Sequence, residues 1–299
     1  MKFEKQENLR KFIIEKQLFS GFSGLKEIYT GGSSYNFRVK AGICRERESE
    51  FLLKLLRDSE AWQKLSKILS VLEKKHDLPV DKFENYYLLA MPYIDGRKLK
   101  YSDCSPDLFK ALLQKYDDMQ YLNKPEIIIG EAHNLNRLLK NISEKLSQKE
   151  DIFSQLIKKY FVQKIINELV CLKTETGVVH GDLTANNIMM DKQGRVHLLD
   201  YGSLRFGHPM EDFAGLVLQL SGFRGMFGSL RRFTRLKKML DNEEKYSLEE
   251  WLYGVQAFYL RTLLRHINNT KKWNNYRKKF CLLTSLTSYF RLAKIIRGG

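Results

Sequence analysis

The run Val179-His180-Gly181-Asp182-Leu183-Thr184-Ala185-Asn186-Asn187-Ile188, with Leu198-Leu199-Asp200-Tyr201-Gly202 close behind it, decides how this 299-residue chain is read. It sets an Asp at 182, an Asn five positions later at 187, and a second Asp at 200, beyond a turn and a strand. Core packing does not place three polar residues on two loops flanking a hairpin. Phosphoryl transfer from a nucleoside triphosphate does need them. One carboxylate takes or orients the proton of the attacking hydroxyl, while the amide and the other carboxylate hold Mg²⁺ against the phosphates.

Working outward, residues 1–20 carry Leu9, Phe12, Ile13 and Lys16 at helical spacing. The period then changes. Segments 25–30 and 35–40 flank Gly31-Gly32-Ser33-Ser34 and predict a β-hairpin with a small-residue tip. Residues 51–56 read as a third strand. Residues 58–75 place Trp62, Leu65, Ile68, Leu69 and Leu72 on one face of an amphipathic helix, and 79–80 and 86–91 add two strands. After Met91 comes a turn-rich crossing segment, 92–96, and then mostly helix: about 106–122, 131–147, 150–176, 210–221, 228–240, 247–268 and 273–296. Short strands near 188–190 and 196–199 interrupt it around the turn Asp191-Lys192-Gln193-Gly194. The expectation is an α+β, two-lobed fold, with a β-rich N-lobe over residues 1–91 and a helical C-lobe over 92–299.

Taken together, the Gly-Gly-Ser-Ser tip, a strand Lys, a helix Glu, a crossing segment, His-Gly-Asp-x4-Asn and Asp-Tyr-Gly resemble the protein-kinase-like superfamily. The branch is that of aminoglycoside phosphotransferases and choline kinases, which uses His-Gly-Asp in place of His-Arg-Asp. The resemblance runs to about residue 220; beyond that only helical character matches. It implies a catalytic role for Asp182, Mg²⁺ ligation by Asn187 and Asp200, and ATP as the donor. It implies further that Lys54 reaches the α/β-phosphates and that Glu60 pairs with Lys54, with Asp58 and Glu73 as rivals for that place. Gly31, Gly32, Ser33 and Ser34 would offer backbone N–H groups to phosphate oxygens. Main-chain groups of Met91, Pro92 and Tyr93 would meet the adenine edge. Asp212 matches an acidic residue that braces the catalytic loop, a helix N-cap being its plainer role.

Only nine residues, 203–211, separate Gly202 from Asp212, and no Ala-Pro-Glu follows. That leaves little chain for a peptide platform, so the expected acceptor is a hydroxyl of a small molecule or glycan. The net charge is +16, and residues 221–299 hold seventeen Lys/Arg against five Asp/Glu. Such a field repels cations and attracts anionic acceptors or an anionic surface. The stretches 276–283 and 289–297 interleave basic, aromatic and aliphatic residues. Peripheral contact with an anionic membrane and plain packing of this helix on the C-lobe both fit that pattern. Nucleic acid is disfavoured: no zinc module, RNA-binding motif or recognition helix is present. A binding scaffold without turnover (a pseudokinase) and a nucleic-acid-associated kinase are the competing classes. The charged start, Met1-Lys2-Phe3-Glu4, is unlike a signal peptide, and no apolar run approaches a spanning length. The four cysteines form no CxxC pair or Cys/His cluster and read as reduced thiols. A cytoplasmic protein, in peripheral contact with the inner membrane face if it meets a membrane at all, is the expectation.

Overall fold

The computed structural model describes residues 2–19, 21–31, 34–43, 47–72, 80–122, 135–170, 177–223, 228–243, 246–269 and 275–298. The chain divides into two compact units, the first built on residues up to Asp95 together with Tyr121 and Leu122, the second beginning at Gly96.

The first unit opens with helix α1 (Lys2–Glu15), followed by strands β1 (Gly24–Gly31), β2 (Ser34–Ile43) and β3 (Arg47–Leu56). Helix α2 (Ser59–Leu72) and strands β4 (Val80–Phe83) and β5 (Tyr86–Pro92) complete it. The five strands form one antiparallel sheet in the order β1-β2-β3-β5-β4. Strand alternation explains its core. Phe51, Leu53 and Leu55 point to one face and bury with Val39, Leu88 and Ala90 against Leu9 and Ile13 of α1. On α2 the spacing Leu65, Ile68, Leu69 buries one stripe, and the Trp62 indole N–H donates to the Leu88 carbonyl at 2.9 Å. The sheet runs past Met91. Pro92 still pairs with Phe51, and the Tyr93 N–H donates to the Glu50 carbonyl at 2.9 Å.

In the second unit, strand β6 (Gly96–Lys98) leads to helices α3 (Pro106–Gln120) and α4 (Leu135–Ser147). The single helix expected over 150–176 is not continuous. Helix α5 (Ile152–Ile157) passes through a π-helical turn, Lys158–Val162, into α6 (Gln163–Asn167) and stops there. The wider turn re-phases the apolar face so that Ile157, Phe161, Val162 and Ile165 are all buried. Gln256 then pins the exit, donating to the Glu168 carbonyl at 2.8 Å and accepting from the Val170 N–H at 3.1 Å. Strands β7 (Gly177–Val179), β8 (Ile188–Asp191), β9 (Val196–Leu198) and β10 (Arg205–Gly207) follow, then α7 (Met210–Leu220), α8 (Leu230–Glu243), α9 (Leu248–Ile267) and α10 (Tyr276–Ile296).

Two small sheets carry the stretch from Gly177 to Gly207: β6-β8-β9, and β7 paired with β10. Helix α9 is the spine. Ser247 caps it in a reciprocal pair with Glu250, and Trp251, Val255, Tyr259 and Leu263 lie fully buried along one side. Gly254 lets α7 approach closely, since a Cβ there would meet the Met210 carbonyl oxygen at 2.3 Å. On α10, Leu282, Leu286, Tyr289, Ala293 and Ile296 bury a complete helical face, with Tyr289 in edge contact with Tyr259 of α9. Phe280 and Leu283 of the same helix stay exposed. Among the described residues no helix is long and apolar enough to cross a membrane.

Candidate active site

Strand β7 delivers the chain to His180, which is fully buried, and then to Gly181 at φ +80°. Only glycine fits at 181: the backbone is left-handed, and a Cβ would sit 2.1 Å from the Ser203 carbonyl oxygen. His180 Nε2 lies 2.7 Å from the Leu199 carbonyl oxygen, and Nδ1 faces the Asp182 N–H at 3.4 Å. A neutral ring with the proton on Nε2 satisfies both contacts. The buried imidazole thus ties the loop before Asp182 to the segment before Asp200.

The three predicted polar residues are linked through this framework. The Asn187 side-chain NH₂ donates to the Asp182 carbonyl at 2.9 Å and to Asp182 Oδ2 at 3.2 Å. With the nitrogen so committed, the amide oxygen is the atom Asn187 has left for a hard cation. The Leu199 N–H donates to the Asn187 carbonyl at 2.8 Å, next to Asp200. Asp200 is exposed and holds a left-handed backbone, φ 59° and ψ 64°, uncommon for any residue with a Cβ. Asp191 fixes the β8–β9 turn that spaces Asn187 from Asp200. Its oxygens accept from the Gln193 and Arg195 N–H groups, each at 2.9 Å. Its bond to His197, followed by those to the Arg195 and Gln193 backbone and the Arg195 guanidinium, holds the Asp191 carboxyl far below the usual range.

Asp212, on the first turn of α7, is buried and reaches back to the loop. Its Oδ2 accepts from the Gly181 N–H at 2.8 Å and from the Tyr116 hydroxyl at 2.6 Å. The helix N-cap itself is Pro209, so Asp212 braces the loop instead of capping α7. Burial first, then the Asp212 carboxylate, push the Tyr116 phenol well above its ordinary value, and it stays a donor. Asp212→Ala strands both donors. The expected cost is roughly 1–3 kcal/mol for each buried donor left unpaired. A urea titration checks it, and an unchanged midpoint would show that the brace carries no weight.

Sequence reasoning missed several partners. Arg205 pairs with buried Glu211 at 2.6 Å, Arg261 adds a second contact to Glu211 at 3.4 Å, and Gln219 accepts from the Ala185 N–H at 3.1 Å. Arg265 of α9 donates to Asp182 Oδ1 at 3.2 Å. The i, i+4 spacing of Arg261 and Arg265 marks a shared helix face, but not what that face meets.

The remaining predicted residues lie in the first unit. Lys54 is half-buried in β3, in register with Asn36 of β2 and Leu89 of β5, on the face opposite Leu53 and Leu55. Glu60 is exposed on the first turn of α2, where a carboxylate suits the helix dipole. Its rival Asp58 is the N-cap, accepting from the Glu60 and Ala61 N–H groups at 2.9 and 3.2 Å. Glu73, Gly32 and Ser33 fall outside the described residues; Gly31 and Ser34 are the register pair beside the hairpin tip. Met91 pairs with Leu52 in the sheet. The Tyr93 N–H is held by the Glu50 carbonyl.

Residues 31–232 match the model of a phosphotransferase enzyme family. The chain belongs to that family. It is a kinase that transfers a phosphoryl group to a hydroxyl. Solved structures share its protein-kinase-like fold at low identity. An aminoglycoside 2'-phosphotransferase-IIIa in its GDP complex is 11% identical, with TM-score 0.65 and 98% of each chain covered. An amicoumacin kinase complexed with AMP-PNP, Ca²⁺ and Ami is 15% identical, with TM-score 0.63, 97% of this chain and 96% of that one covered. A choline kinase from Streptococcus pneumoniae is 14% identical, with TM-score 0.57, 96% of this chain and all of that one covered. No curated protein sequence matches the chain significantly.

Proposed function

We propose that this family member moves the γ-phosphoryl group of ATP, with Mg²⁺, to a hydroxyl of a small, anionic acceptor. The observation that carries the reading is the hydrogen-bonded pair of Asp182 and Asn187, joined to the Asp200 segment by the Leu199–Asn187 and His180–Leu199 contacts. In this reading the acceptor oxygen forms a bond to the γ-phosphorus as the bond to the β–γ bridging oxygen breaks. The departing pair leaves on ADP, and the hydroxyl proton passes to a carboxylate oxygen of Asp182.

The Asn187 amide oxygen and the Asp200 carboxylate would hold Mg²⁺, which neutralises charge on the phosphates when bound. The donor set fits. Among the described residues no group of three or more His, Cys, Asp or Glu could hold a metal, and Mg²⁺ with a triphosphate takes most of its ligands from phosphate and water. The roles assigned to the N-lobe, 1–91, and to Lys54 rest on the family resemblance and on its place in β3. Lys54→Ala should weaken ATP by about 10- to 100-fold, the worth of a charge-assisted hydrogen bond, and adenosine far less. Calorimetry with both ligands decides it; equal losses would place this Lys away from the phosphates.

The acceptor is read as anionic from the excess of twelve positive charges over residues 221–299. A soluble acceptor is favoured over a membrane-presented one, because α10 buries Leu282, Leu286, Tyr289, Leu292 and Ala293 and leaves Phe280 and Leu283 as its exposed large apolar side chains among the described residues. An ATP-consumption screen across sugars, sugar phosphates, amino alcohols and lipid-linked glycans tests the reading directly. Peptides should be poor acceptors. The segment after Gly202 is used up by strand β10, bonded to β7, and by the entry to α7. Sequence-selective phosphorylation of peptides would overturn this part.

A further inference from the structure

The carboxylate of Asp182 is shared between two donors. Asn187 holds Oδ2, and the Arg265 Nη2 holds Oδ1 from a helix 83 residues further along the chain. The Arg265 side chain is 54% exposed, so core packing does not explain its place. It lines a recess of about 40 Å³ together with Asp182, Thr184, Gln219, Phe258 and Thr262.

The other charges of that recess are already matched. Glu211 receives Arg205 at 2.6 Å, the Tyr253 hydroxyl at 3.1 Å and Arg261 at 3.4 Å. Asp212 receives Gly181 and Tyr116. Of the carboxylates that line the recess among the described residues, Glu211 and Asp212 are matched within the fold, and Asp182 already holds Asn187 and Arg265. The group that does face solvent beside Asp182 is a guanidinium, whose planar fork can hold one oxyanion on one nitrogen and a second on its neighbours.

We infer that Arg265 is the acceptor-recognition residue, and that the acceptor is a soluble hydroxy compound carrying a phosphate or carboxylate group close to the hydroxyl that is phosphorylated. The inference rests on the proposal that Asp182 faces the acceptor hydroxyl. Arg265 then has two roles. Before the acceptor arrives, it holds Asp182 in place. With acceptor bound, it pairs with the anionic group and sets the hydroxyl against the carboxylate. The global positive charge steers anions toward the site; Arg265 supplies the local contact that selects them.

The test uses the full chain saturated with Mg²⁺ and AMP-PNP, so that a phosphate probe does not enter through the nucleotide site. Calorimetric titration with inorganic phosphate and with acetate should show binding to the wild type. Arg265→Gln should weaken it by about 10- to 100-fold, the loss of a charge-assisted contact, with Arg265→Lys in between. In turnover assays with glucose, glucose 6-phosphate, glucuronate and glucosamine, the wild type should prefer the anionic members. Arg265→Gln should collapse that preference through KM. No anion binding by the wild type, or binding unaffected in Arg265→Gln, overturns the inference. So does a preference for glucosamine. Transfer to neutral and cationic acceptors that ignores Arg265 would sink the inference and leave the phosphotransferase reading standing. Arg265-dependent anion binding with no transfer from ATP to any hydroxyl would overturn both the inference and the role given to Asp182, since the inference needs an acceptor hydroxyl at that carboxylate.

Discussion

Asp182→Asn is expected to lower turnover by roughly 10²–10⁴-fold, the range for losing a general acid–base group, while the protein stays folded and still binds nucleotide. The geometry explains why the fold survives. The wild-type carboxylate accepts from Asn187 on one oxygen and from Arg265 on the other. An amide at this position keeps one acceptor and turns its NH₂ toward the second donor, so one contact is lost. Both side chains are substantially exposed, 35% for Asp182 and 54% for Arg265, and water takes up the freed donor at a cost of about 1 kcal/mol or less. Chemistry is different, because the amide cannot take the hydroxyl proton. Single-turnover kinetics with preformed Mg-ATP complex separate the two. A near-normal rate in Asp182→Asn would move the catalytic role to another group.

How much of this site could be read from sequence depends on how local each feature is. His180 to Asn187 and the Asp200 segment are short, contiguous and chemically distinctive, and their spacing survives intact into the folded loops. The strands of the first unit alternate clearly enough to be counted, and the helical stripes of α2 and α9 show in their spacing. Strands β6, β7 and β10 were not foreseen, because three residues are too few to show a period, and β7 pairs with β10 only after the whole catalytic loop has intervened. The brace was half legible. Asp212 stands out in the sequence, but Tyr116, its partner across 96 residues, does not. Arg265 was invisible for the same reason. The fate of α10 shows a further limit. A basic and apolar helical pattern fits a lipid surface and a protein surface equally well; in the fold Leu286, Tyr289 and Leu292 are buried, while Phe280 and Leu283 of the same helix stay exposed.

Asp200 is expected to show the sharpest loss of all. Asp200→Ala removes the charged ligand proposed for Mg²⁺, so the Mg²⁺-dependent part of nucleotide binding should vanish. Its backbone complicates a single substitution. At φ 59° and ψ 64° an alanine is strained by about 1 kcal/mol or more, and a loss of binding in that variant mixes strain with chemistry. Two companions separate them. Asp200→Asn keeps the shape and tolerates the left-handed region but lacks the charge. Asp200→Gly lacks the side chain and relaxes the backbone. All three should lose the thermal shift that saturating Mg-ATP gives the wild type, about 2.7 kcal/mol of stabilisation when ligand is a hundredfold above its Kd. Without nucleotide, Asp200→Gly should melt no lower than Asp200→Ala, since glycine carries no strain there. If Asp200→Asn kept a wild-type shift with Mg-ATP, the carboxylate would not be the metal ligand. If the alanine variant alone lost it, the left-handed turn would be the feature that matters, holding the loop in place without Asp200 ever touching the metal.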